Sequence, residues 1–110
     1  MGKNMNKFIG LRDTIQKARR MGYQIKYYPN PQRPIYIDLK TRDYPSQLIH
    51  IGFENTRFFI DVMLGNLSGE YTENLHRSDG LTQLQVQKEI NHALSGQYIG
   101  KAIQRRLTHA

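Results

Sequence analysis

The sequence predicts an α+β domain: an N-terminal helix, a four-stranded antiparallel sheet over residues 23–64, and two C-terminal helices over about 82–95 and 97–108. Three observations predict it. Four runs inside residues 23–64 alternate apolar and polar residues, the mark of strands with one buried and one solvated face. Towards both ends the apolar residues recur instead at spacings of three and four, as on one face of a helix. The breaks between runs are rich in Pro, Asp and Asn, which suit turns and interrupt regular structure.

A chain of 110 residues is one domain by length, residues 1–110, large enough to bury roughly two thirds of its surface without staples. It contains no cysteine, so neither a disulfide framework nor a thiolate metal site is expected. No apolar run approaches the roughly 20 residues that span a bilayer, and the first 22 residues are too polar for a signal peptide. A soluble cytoplasmic protein without a membrane partner is therefore expected.

In chain order, Phe8, Leu11, Ile15 and Ala18 form the apolar face of a helix over about residues 5–21, with Asn4 or Asn6 as N-cap and Gly22 just past its end. Its outer face carries Lys7, Arg12, Lys17, Arg19 and Arg20. The strands follow, with Tyr23, Ile25 and Tyr27, then Ile35, Ile37 and Leu39, then Ile49, Ile51 and Phe53, then Phe58, Ile60, Val62 and Leu64 towards the core. A slip of one residue would replace these side chains by Lys, Asp or His, so the register is firmly specified.

Pro29, Pro31 and Pro34 make a stiff loop between the first two strands, with Arg33 on it. Asp43 and Pro45 mark the next connection, and Asn55 and Thr56 form a tight hairpin. Residues 65–80, with five Gly or Asn residues and little periodicity, read as a long loop. Its acids Glu70, Glu73 and Asp79 disfavour contact with nucleic acid. Thr82 and Gln85 then stand at capping-box spacing, and Leu81 and Val86 at the spacing of a hydrophobic staple. Val86, Ile90, Ala93 and Leu94 give that helix its apolar stripe. After Ser95 and Gly96 a second pattern of Ile99, Ala102, Ile103 and Leu107 begins, with Lys101, Arg105 and His109 opposite.

The net charge of +7 and pI near 9.9 point to a polyanionic partner. Residues 1–42 hold ten Lys or Arg against Asp13 and Asp38, whereas residues 43–96 hold three against seven acids. Both ends are basic and the middle is acidic. The outer faces of the strands add Gln24, Lys26, Tyr28, Tyr36, Asp38, Lys40, His50, Arg57, Phe59, Asp61 and Met63. Aromatic rings interleaved with cations suit stacking of bases and neutralisation of phosphates, unless a terminal helix covers that face.

The expected function is therefore a small, basic, non-enzymatic nucleic-acid-binding protein acting on DNA or RNA. Its candidate contacts are Lys17, Arg19, Arg20, Lys26, Tyr28, Arg33, Tyr36, Lys40, Lys101, Arg105 and Arg106. The alternative is an interaction or regulatory module for a protein with an acidic surface, anchored by Leu48, Phe59 and Met63.

Three partial patterns complete the reading. The last two helices are laid out like a helix-turn-helix, but His92 stands where that pattern wants a small residue, which favours an αα-hairpin or a kinked helix packed on the sheet. Helices flanking an antiparallel sheet also match, coarsely, double-stranded RNA-binding domains, from which the four strands and the lone Lys88 after Thr82 depart. Asp38 and Lys40 match half of a metal-dependent nuclease site; only Glu54 and Asp61 offer a second carboxylate, and one carboxylate does not hold the ion. His50, His76, His92 and His109 have no ligand spacing. No catalytic residue, metal site or cofactor is expected.

Overall fold

A computed structural model describes residues 7–42 and 45–108, apart from the side chains of Arg106 and Thr108. A 3-10 turn, Ile9–Leu11, leads into α1, Arg12–Arg20. Five strands follow: β1, Gln24–Tyr28; β2, Tyr36–Lys40; β3, Gln47–Glu54; β4, Arg57–Gly65; and β5, Tyr71–Leu81. The chain then forms α2, Gln83–Leu94, and α3, Gln97–Thr108. The sheet is an antiparallel meander in the order β1-β2-β3-β4-β5, so each strand pairs with its neighbour in sequence.

The α+β class agrees with the sequence reading, but the sheet has five strands rather than four. Residues 65–80 are not a loop: most of them belong to β5, which pairs with β4 through three register shifts. Each shift resets the inside-outside alternation, so the apolar period never accumulates. The first helix is shorter than expected because its opening turn is 3-10, and Leu11 at its N-cap makes no side-chain cap. Asn4 and Asn6 lie outside the described residues, as do Asp43 and His109. Ile35 precedes β2 and is exposed.

One face of the sheet carries the core. Ile37, Leu39, Ile49, Ile51, Phe58, Ile60 and Val62 meet Leu11, Ile15 and Ala18 of the N-terminal region and Val86, Ile90, Ala93 and Leu94 of α2. The 3-10 turn and α2 approach closely at Gly10, where a Cβ would sit 2.1 Å from Oε1 of Gln83. Gln87 Nε2 donates to the Gly10 carbonyl at 2.8 Å, fixing the same crossing. At the head of α2 the capping box is complete: Thr82 Oγ1 accepts from Gln85 N–H, and Gln85 Oε1 accepts from Thr82 N–H. The β3–β4 hairpin turns through Asn55 and Thr56 at φ of 52° and 63°, a left-handed pair that suits a two-residue hairpin.

Helix α3 docks through Ala102, which is buried, and through Tyr98, whose ring stacks on His76 of β5 at 4.5 Å between centroids. Of its apolar stripe, Ile103 and Leu107 stay exposed. No helix among the described residues is long and apolar enough to cross a membrane.

Candidate nucleic-acid interface

Because α1 and α2 both lie on the core face, no helix among the described residues covers the opposite face of the sheet. There the register aligns side chains in rows across the strands. One row runs Tyr28, Tyr36, Gly52, Phe59. The next runs Lys26, Asp38, His50, Asp61, Arg77, and the third Gln24, Lys40, Leu48, Met63, Asn74.

The rings of Tyr36, His50 and Phe59 meet in a triangle, with centroids 5.2, 5.6 and 6.0 Å apart. Gly52 makes room for it. A Cβ at residue 52 would lie 2.2 Å from Phe59 Cε2 and 2.8 Å from Tyr36 Cδ1, so the rings lean over bare backbone. The Arg77 guanidinium lies over Phe59 at 5.8 Å, within the range of a cation–π contact. Aromatic and methionine side chains thus remain half-buried on a face open to solvent.

The acids of the middle row are occupied within the row. Nδ1 of His50 lies 2.5 Å from Asp38 Oδ1. Asp61, only 15% exposed, accepts from Arg77 at 2.6 Å and from Asn74 at 2.9 Å. The lysines are disposed differently. Lys26 Nζ lies 5.0 Å from the Tyr28 ring and Lys40 Nζ 5.2 Å from the Tyr71 ring, and neither has an ion-pair partner among the described residues. Together with Asp38 and Leu48 these side chains line a basin of about 560 Å³.

The residues expected from sequence divide between two sides of the molecule. Lys26, Tyr28, Tyr36 and Lys40 share the open face. Lys17, Arg19 and Arg20 sit on α1, in the helical layer, where Lys17 donates to Asn91 Oδ1 and Arg19 to the Tyr27 hydroxyl. Lys101 and Arg105 line a separate cleft with Leu75 and Tyr98. Arg33 is exposed in the β1–β2 loop, its backbone N–H bound to Asn30 Oδ1. The Arg106 side chain lies outside the described residues.

Tyr71, Asn74 and Arg77 escaped the sequence reading because they belong to β5. The hint was present: Tyr71 and Leu81 bracket residues whose charges alternate with polar positions, without enough apolar residues to make a period. Each carboxylate weighed for a nuclease-like site has another partner. Asp38 faces His50, Asp61 faces Arg77, and Glu54 accepts from the Tyr36 hydroxyl at 3.3 Å. Among the described residues no three His, Asp or Glu side chains gather to hold a metal ion.

Two phenols are displaced from their ordinary acidity. Burial raises Tyr23, against the lowering effect of its hydrogen bond from Gln47. Tyr98 is pushed up to about 12, first by burial and then by its hydrogen bond to Glu89 and that carboxylate's charge. His76 Nε2 pairs with the same carboxylate, so Glu89 joins α2, β5 and α3. Comparison of the chain with protein-family models, with curated proteins and with solved structures finds no match.

Proposed function

We propose that this protein binds nucleic acid, DNA or RNA, without cleaving it, through the open face of its sheet. The observation that supports this reading is the uncovered row of Tyr28, Tyr36 and Phe59 beside Lys26 and Lys40. Rings of this kind stack on bases while ammonium groups meet phosphates. Apolar side chains left on an open face also mark an interaction surface. The positive charge of the chain supplies long-range attraction for any polyanion, and the cations of α1 and α3 add to that field without lying on the contact face.

Fluorescence anisotropy with labelled DNA and RNA at low and near-physiological salt tests the reading. If the face meets about three phosphates, log K falls with log salt with a slope of about −2 to −3. The double variant Lys26→Ala/Lys40→Ala weakens binding, whereas the same change at Lys17 and Arg20 reduces it less. Absence of binding at low salt overturns the proposal. In that case partners recovered by affinity purification after nuclease digestion point to a protein ligand held by Leu48, Phe59 and Met63. Incubation with Mg²⁺ or Mn²⁺ leaves the nucleic acid intact.

A further inference from the structure

Resting on the nucleic-acid reading above, we infer that the ligand is a single strand, and that one of its unpaired bases seats in the basin between Tyr28 and Tyr71. The basin is walled by two tyrosines, each with a lysine over its ring: Lys26 on Tyr28 at 5.0 Å and Lys40 on Tyr71 at 5.2 Å. Leu48 gives an apolar surface and Asp38 a hydrogen-bond acceptor. Its volume of about 560 Å³ falls within the roughly 300–1,000 Å³ of sites that engulf small planar ligands. A base paired inside a duplex exposes only its groove edge and cannot lay a face against either ring. An unpaired base can, with its flanking phosphates towards the two ammonium groups.

The occupant is a strand rather than a free nucleotide because the stacking surface continues beyond the basin. Tyr28 pairs in register with Tyr36, and Tyr36 is 6.0 Å from Phe59, so further rings extend across β2, β3 and β4. Arg77, paired with Asp61 and Asp79, lies over Phe59 at the far side of this row. Asp38 faces His50 and Asp61 accepts from Arg77, while Lys26 and Lys40, over their rings, have no ion-pair partner among the described residues. The face thus pairs a ring with a cation at three places.

The test compares an oligothymidylate and an RNA of about twelve nucleotides with the corresponding duplexes and with a mononucleotide, by anisotropy and competition. Single strands bind at least tenfold more tightly than duplexes or the mononucleotide. Tyr71→Ala weakens single-strand binding by about tenfold, in keeping with loss of one base–ring stack, and Tyr71→Phe largely restores it. Tyr28→Ala gives a second reading of the same basin, and photo-crosslinking from a halogenated pyrimidine in the strand maps to Tyr28 or Tyr71 by mass spectrometry. Duplex bound as tightly as single strand, with Tyr71→Ala and Tyr28→Ala both silent, overturns the inference but leaves nucleic-acid binding standing. A mononucleotide bound as tightly as the strand overturns the assignment to a strand. Failure of every probe at low salt overturns both.

Discussion

Nδ1 of His50 lies 2.5 Å from Oδ1 of Asp38, across the β2–β3 pair and between the rings of Tyr36 and Phe59. A carboxylate at that distance selects the imidazole form with hydrogen on Nδ1. Nitrogen NMR is expected to show the neutral imidazole of His50 as the Nδ1–H tautomer, and Asp38→Ala to remove that preference. The contact is partly solvated, with Asp38 18% and His50 30% exposed, so the substitution is expected to cost only about 1 kcal/mol of stability.

Gly52→Ala is expected to push the Phe59 and Tyr36 rings off the strand. Added methyl groups in packed sites cost about 1–3 kcal/mol, and the half-exposed rings here can yield, which places this change at the lower end. Chemical denaturation measures that cost. Ring proton shifts of Phe59 and Tyr36 should move together, and single-strand affinity should fall with them.

Thr82→Ala removes the N-cap acceptor and opens the reciprocal bond from Gln85. A loss of about 1 kcal/mol is expected in urea unfolding. Thr82→Ser should recover most of it, since the hydroxyl and not the methyl makes the bond.

Alkaline pH should weaken the attachment of α3. The Tyr98 phenol is held protonated in the fold, with its pKa raised from the ordinary 10.0 to about 12. A raised folded value means that its share of stability is complete below pH 10 and is lost as the pH rises towards 12. Tyr98→Phe is expected to flatten the decline of stability between those two values and to remove a tyrosine step near pH 12 from the absorbance titration.

The parts of the fold built on periodicity were legible. Alternation placed Ile37, Leu39, Ile49, Ile51, Ile60 and Val62 towards the core, and all are fully buried. Spacing placed Thr82 at a helix cap. Strand β5 was hidden because its order depends on pairing with β4, whose apolar residues supply most of the burial, and not on a pattern of its own. The candidate face was legible in residue identity, since Lys26, Tyr28, Tyr36 and Lys40 lie on it as alternation implies. Its openness was not, because which side of a sheet a helix covers depends on tertiary packing. Charge alone also grouped Lys17, Arg19 and Arg20 with the sheet cations, although the α1 residues belong to the other layer.

The three register shifts of β5 carry a consequence for how the molecules behave in concentrated solution. β5 is an edge strand, and a long, flat edge presents a free row of amide and carbonyl groups on which another chain can add a strand. Shifts between Phe58 and Ile60, between Val62 and Met63, and between Leu64 and Gly65 interrupt that row at three points, and exposed Arg77 and Asp79 place charge along it. The opposite edge, β1, spans only Gln24–Tyr28 and runs into Pro29, which has no amide hydrogen to offer. Both borders of the sheet therefore offer a second chain only short or interrupted rows to pair with.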